Sequence, residues 1–182
     1  MDWIQTYRGR QFFPLRPQPG DIDIDDIAHA LSLQCRFNGH CREFYCVAEH
    51  SVRVMRLLQQ QGHDDDTVLW GLLHDAAEAY LSDLPRPLKS MLPQYGETEN
   101  ALLRVIIEHM GLTWPMPETV RLADDTLLVT EARDVMAPPP QPWGFAVGIA
   151  PLSDRISPIS PTQAEAEYLA AFHQLTASRA TP

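Results

Sequence analysis

A chain of 182 residues, 45% hydrophobic and 21% charged, suits one globular domain built around its own core. The formal net charge of −10 argues against wrapping long nucleic acid or docking on an anionic membrane, although a metal or a few arginines can reverse the field inside a cleft. No apolar run approaches the roughly 20 residues that span a bilayer, and the first residues lack a signal-peptide core. Cys35, Cys41 and Cys46 follow none of the common zinc spacings and favour reduced, structural thiols in a cytoplasmic compartment.

The segment 1–20 reads as irregular, with Pro14, Pro17 and Pro19 blocking regular structure. "DIDIDDIAHALSLQCRF" opens with acidic residues and places Ile24, Ile27, Ala28 and Leu31 at helical spacing. A second helix is expected over "FYCVAEHSVRVMRLLQQQG", stopped by Gly62. "DDDTVLWGLLHDAAEAYL" is expected as a single third helix, with aspartates at its start and Pro85 and Pro87 after its end. A fourth helix over "GETENALLRVIIEHMGL" ends at Gly111, and a fifth covers "PETVRLADDTLLVTEARDVM". The last helix, 160–178, begins with Ser160 as cap, Pro161 in the first turn and Gln163 completing a capping box. Before it lies a proline-rich crossover, 137–159, without helical period, in which a short strand pair is expected near Trp143 to Ile149. The fold class is therefore all-α: a single domain over 1–182, a helical bundle of about six main helices with a Pro-rich crossover before the last one.

Three of these helices carry polar residues on apolar stripes. With His74 set at zero, Asp75 falls near 100° and Glu78 near 40°, in a helix otherwise apolar on every side. With His50 at zero, Val47, Val54 and Leu57 lie within about 60°, whereas Glu49, Arg53 and Arg56 fall on the other side. With Asp124 at zero, Val120, Leu127, Leu128 and Val135 also lie within about 60°, and Asp125 sits at the edge near 100°. His50, His74, Asp75 and Asp124 are thus directed into one core. A lone buried histidine is more often a hydrogen-bonded core residue than a ligand, and a lone aspartate commonly caps or pairs with arginine. Four such residues on three helices are explained together by a divalent transition metal, Mn²⁺, Fe²⁺, Co²⁺, Ni²⁺ or Zn²⁺. Glu131, two turns beyond Asp124, is expected to pair with a basic group, near Arg133 or on another helix.

The ordered motifs "AEHSVRV", "LLHDAAEAYLSDLP" and "ADDTLLVTEARD" resemble those of the HD-domain phosphohydrolases, over residues 21–136. "CRFNG" before the first histidine and "DLPRPLK" after the HD pair are similar to the small bacterial and phage members, the 5′-deoxynucleotidases and the deoxyadenosine triphosphate triphosphohydrolases. The resemblance implies metal ligation by His50, His74, Asp75 and Asp124. It assigns Glu78 and Asp83 to proton transfer and Arg36 to the substrate phosphate. Arg36, Phe37, Asn38, Gly39, Pro87 and Lys89 are the candidate substrate-binding residues.

The expected function is metal-dependent hydrolysis of a deoxynucleoside triphosphate. A 5′-deoxynucleotidase acting on monophosphates is the alternative, and a non-catalytic nucleotide sensor with an HD fold is the alternative from another class. A second divalent ion such as Mg²⁺ accompanying the substrate phosphates is compatible with this chemistry, as is a homo-oligomer. Neither a long nucleic acid nor a membrane is an expected partner.

Overall fold

The computed structural model describes residues 2–179. Its elements are β1 (Ile4–Gln5), β2 (Gln11–Phe12), α1 (Ile24–Leu33), α2 (Val47–Gln60), α3 (Asp65–Leu73), α4 (Glu78–Leu81), α5 (Arg86–Met91), α6 (Pro93–His109), α7 (Glu118–Val135) and α8 (Pro161–Arg179). Among the described residues the only sheet is the small β1–β2 hairpin, so the domain is all-α as expected. The hairpin itself departs from the irregular reading of 1–20. It forms because Phe12 is buried and stacks on Tyr80 at 3.9 Å, which gives the otherwise exposed ribbon an anchor on the helical core.

Local chemistry sets most helix ends. Asp23 accepts a bond from the Asp25 N–H at 3.0 Å, and Asp64 accepts from Thr67 at 2.8 Å. α2 and α6 are followed by Gly62 and Gly111 with φ of 78° and 73°, a left-handed conformation that glycine adopts without a Cβ clash. Ser160 Oγ accepts from the Gln163 N–H at 3.2 Å, but the Gln163 amide donates to Glu167 instead of returning to the cap. The expected capping box is therefore only half made.

α2 is the central element. It packs against α3, α7 and α8, while α1 closes the assembly against α8 and α4. Gly71 permits the closest of these approaches. A Cβ at Gly71 would stand 2.4 Å from Leu58 Cδ1 and 3.3 Å from Met55 Cα, so any side chain there would force α3 away from α2. The contact brings the C-terminal end of α3 against the His50 face of α2.

Three further expectations are corrected. The third helix is not continuous: α3 ends at Leu73 and α4 starts at Glu78. The intervening residues form a tighter turn, with Ala76 bonded to Leu73 and Glu78 to Asp75 at 2.9 and 3.0 Å. Glu49 is not on a solvent face. It is buried beneath the crossover, where it accepts the Ile159 N–H at 3.0 Å and pairs with Arg53. The stretch near Trp143 to Ile149 has no strand pair; Gly144–Ala146 forms a 3₁₀ turn. The proline residues around it remove backbone donors that a ladder would need.

Candidate metal centre

His50 lies on α2, His74 immediately after α3, Asp75 in the tight turn that follows, and Asp124 on α7. The structure brings all four together. His50 Nε2 is 3.2 Å from His74 Nε2, 3.2 Å from Asp124 Oδ1 and 3.6 Å from Asp75 Oδ2. His74 Nε2 is also 3.2 Å from Asp75 Oδ2. His50, His74 and Asp124 each offer a ligand atom within 4.8 Å of the others, so this group could hold a metal ion. Asp75 reaches both imidazoles and is turned partly toward Arg36, whose Nη1 is 3.6 Å away.

The break in the third helix explains how adjacent residues converge. In a regular α-helix His74 and Asp75 point about 100° apart. The tightened turn draws the Asp75 carboxylate back over the His74 ring. The Gly71 carbonyl meanwhile lies 2.8 Å from His74 Nδ1 and accepts its proton, which leaves Nε2 to face His50.

His50 is held in the same sense from the other side. Its Nδ1 is 2.6 Å from Glu131 Oε1, at a residue with no solvent exposure. With both Nδ1 atoms bonded to acceptors, the two Nε2 atoms face each other across 3.2 Å. Two neutral imidazoles so arranged would oppose their lone pairs, and only a proton or a cation between them relieves this. Burial and Arg36 alone would keep His50 uncharged, yet Glu131 and Asp124 outweigh them and push its pKa up to about 9. Burial likewise disfavours the Asp124 carboxylate, but the hydrogen bond and charge of His50 hold it at about 2. The donor set, two imidazoles with flanking carboxylates, thus has the composition and charge that suit a divalent transition metal.

Glu131 pairs with basic groups on other elements, one of the two expectations for it; its place behind His50 is what the sequence did not show. Besides His50 it accepts from Tyr45 Oη at 2.8 Å and from Arg36 Nε and Nη2, both at 3.1 Å. Its basic partners are therefore Arg36 and His50; Arg133 pairs with its neighbour Asp134. A carboxylate behind a candidate ligand histidine fixes the ring's tautomer and angle. The signal available in the sequence was its position on the same stripe as Asp124, two turns on. Gln34 was missed as well. Its amide donates to the Glu78 carbonyl at 2.8 Å and its Oε1 accepts from the Asp83 N–H at 3.1 Å, tying the turn between these two acids to the end of α1.

A cavity of about 420 Å³ opens beside Asp75 and Asp124. Of the expected substrate residues, Arg36, Phe37, Pro87 and Lys89 line it, as do Glu78 and Asp83, whereas Asn38 and Gly39 are exposed and lie outside the lining. Leu84, Pro85 and Arg86, within the "DLPRPLK" stretch, also line it, and Leu128, Trp143 and Gly144, to which the sequence did not point, complete the wall. Arg86 bonds to Asp124 at 3.3 Å and to Asp125 at 2.5 Å. Lys89 Nζ stands 2.8 Å from Glu99 and 3.5 Å from Glu78.

Glu78 is only 4% exposed, and its Oε2 is buried with no hydrogen-bond partner among the described residues. Burial, reinforced by Asp75 and Asp83 and opposed by Lys89, raises its pKa well above the usual carboxylate range. Asp83 is raised too, chiefly by burial and then by Asp75, against the opposing charge of Arg36.

Among known proteins, the chain is 36% identical over 181 residues to the uncharacterized protein YfdR of Escherichia coli K12, an alignment covering 98% of each chain. The chain belongs to the YfdR family. It is also 35% identical, over 126 residues, to an uncharacterized protein of Rhodobacter capsulatus, covering 66% of this chain and 64% of that one. No family model matches the chain. Among the described residues no helix is long and apolar enough to cross a membrane.

Proposed function

We propose that this YfdR relative is a metal-dependent phosphohydrolase of the HD type, acting on deoxynucleoside phosphates. The observation that carries the reading is the pair of imidazole Nε2 atoms 3.2 Å apart, each ring fixed through Nδ1 and flanked by Asp75 and Asp124, at the edge of a cavity that Arg36, Arg86 and Lys89 also line. A divalent cation held by His50, His74, Asp75 and Asp124 supplies Lewis acidity toward phosphoryl oxygens and a strong nucleophile at neutral pH.

The remaining work falls to the chain's own groups. Arg36 is locked by Glu131 through Nε and Nη2, which leaves Nη1 on the Asp75 side to receive a phosphoryl oxygen. Glu78, whose raised pKa suits a proton donor, lines the cavity and would hand a proton to the departing oxygen, with Asp83 as the second proton-transfer group. Gln34 keeps Glu78 and Asp83 in register with one another. Leu84, Pro85, Pro87 and Leu128 give this end of the cavity an apolar wall.

A triphosphate is favoured as substrate if Arg86 exchanges Asp124 and Asp125, and Lys89 exchanges Glu99 and Glu78, for the outer phosphates. A 5′-deoxynucleotidase would use the same centre on a monophosphate. The two are separated by incubating the Mn²⁺-loaded protein with deoxynucleoside mono-, di- and triphosphates and resolving products by ion exchange. Release of inorganic triphosphate supports the leading reading, and orthophosphate from monophosphates supports the alternative. Binding without turnover across the whole panel would replace both with a nucleotide sensor. His74→Ala is expected to abolish release while preserving the helical circular dichroism, and retained activity would refute the ligand assignment.

A further inference from the structure

A series of contacts runs from the candidate metal centre to an aromatic pair. Arg36 Nη1 is 3.6 Å from Asp75, and the Arg36 guanidinium lies 5.4 Å from the centroid of the Phe37 ring. Phe37 in turn faces Trp143 with ring centroids 6.3 Å apart and planes tilted by 32°. Both rings line the cavity. The aromatic pair therefore sits about one side chain away from the point where a phosphate would bind.

One of these rings is set by its backbone, and the other arrives on a segment whose later part is anchored. Phe37 and Asn38 both have φ of 53°, consecutive non-glycine residues in the left-handed region. Such a conformation is rare for an aromatic residue and persists where surrounding structure enforces it, typically at binding sites. Hydrogen bonds from Arg36 N–H to the Tyr45 carbonyl at 2.8 Å and from His40 N–H to the Phe37 carbonyl at 3.0 Å enforce it here. Trp143 comes from the opposite direction, on the proline-rich crossover. Leu152 N–H bonds to Thr130 Oγ1 and Ile156 N–H to Asp134 Oδ2, both at 2.9 Å, which moors the far side of this segment to α7.

We infer that Phe37 and Trp143 form an aromatic slot that receives the planar ring of the ligand, which makes Trp143 a specificity-determining residue supplied by the crossover. The inference rests on the phosphohydrolase reading and deepens it: the ligand carries a phosphate at one end and a heteroaromatic ring, of nucleobase type, at the other. Rings tilted and spaced near the outer end of the range for direct pairing, roughly 4.5–7 Å between centroids, need little movement to flank a third ring. Stacking of this kind accepts any base, because every base presents a π-face.

The test uses two ligands that cannot be hydrolysed at phosphorus: a deoxynucleoside 5′-methylenephosphonate and the same sugar methylenephosphonate without its base. Affinities are measured by calorimetric titration of the full-length, Mn²⁺-loaded protein. The wild type is expected to bind the base-bearing ligand roughly tenfold or more tightly than the base-free one. Trp143→Ala should remove most of that ratio while leaving the base-free affinity unchanged, and Trp143→Phe should restore it. An unchanged ratio in Trp143→Ala, an equal loss for both ligands, or equal affinities in the wild type would each overturn the slot. If Trp143→Ala fails to fold, Trp143→Leu keeps apolar bulk without an aromatic face and meets the same criteria. Absence of phosphate release from nucleotides, alongside an intact binding ratio, would count against the hydrolase reading and leave the slot standing.

Discussion

Glu131 controls the candidate metal centre without facing the ligand. With no exposure, it receives His50, Tyr45 and Arg36 at once, and so sets both the tautomer of the His50 ring and the angle of the Arg36 guanidinium. Replacement by Gln keeps the size and removes the charge. Glu131→Gln is therefore expected to weaken metal binding about 10- to 100-fold, the usual effect of losing a partner behind a ligand. Calorimetric titration of Mn²⁺ into metal-free protein measures it, and unchanged affinity would show that His50 needs no such partner. His50, His74 and Asp124 were legible in the sequence because each is a charged or polar residue on an apolar helical stripe. The role of Glu131 was not, because it depends on Arg36, which reaches it from a left-handed loop that no periodicity reveals.

At the scale of elements, the α2–α3 contact carries the site. Gly71 has no room for a methyl group, so Gly71→Ala should cost about 1–3 kcal/mol through overpacking and push His74 away from His50. Denaturant unfolding and metal titration of the variant should show both losses; a stable variant that binds metal normally would contradict the account. The sequence offered Gly71 only as a glycine inside a helical pattern, and its use became visible with Leu58 and Met55 packed against it. The split of the third helix was hidden for a similar reason. Leu69 to Leu81 reads as continuously helical, and the tightened bonds of Ala76 to Leu73 and Glu78 to Asp75 leave no mark on its apolar pattern.

The crossover is a second element whose position rests on a few polar anchors. Asp134 has a side chain only 2% exposed, bonded to Arg133, Arg155 and the Ile156 N–H. The hydrogen bond from Arg133, with help from Ile156 and Arg155, depresses its pKa well below the ordinary value of 3.8. A depressed carboxylate contributes stability above its unfolded value and loses that contribution as pH falls toward the folded one. Proteolysis within 137–159 should therefore accelerate as pH drops below about 3.8, assayed with an acid-active protease against a pH-matched control peptide. Asp134→Asn should already be open at neutral pH and lose the dependence; an unaltered profile in that variant would place the anchor elsewhere.

For the whole molecule, the proposed function requires a formal charge of −10 to be reconciled with an anionic ligand, and the cavity is where that would happen. Its lining holds four acidic residues, Asp75, Glu78, Asp83 and Asp124, against three basic ones, Arg36, Arg86 and Lys89. A divalent cation would turn this excess of one negative charge into an excess of one positive charge while the outer surface stays acidic. The all-α class and the main helices could be read from apolar period and caps. The cavity wall could be read only in part, because Trp143 and Gly144 enter from a segment without period.

The central claim is that the facing imidazoles of His50 and His74 are completed by a metal ion. Calorimetric titration of Mn²⁺ or Co²⁺ into metal-free protein, read alongside metal content by atomic emission, tests it most directly. About one transition-metal ion per chain is expected, binding more tightly as pH rises and His50 sheds its proton, and no such binding in a folded His74→Ala variant. A folded wild-type protein that takes up no metal at neutral pH, or a His74→Ala variant that binds as tightly as the wild type, would contradict it.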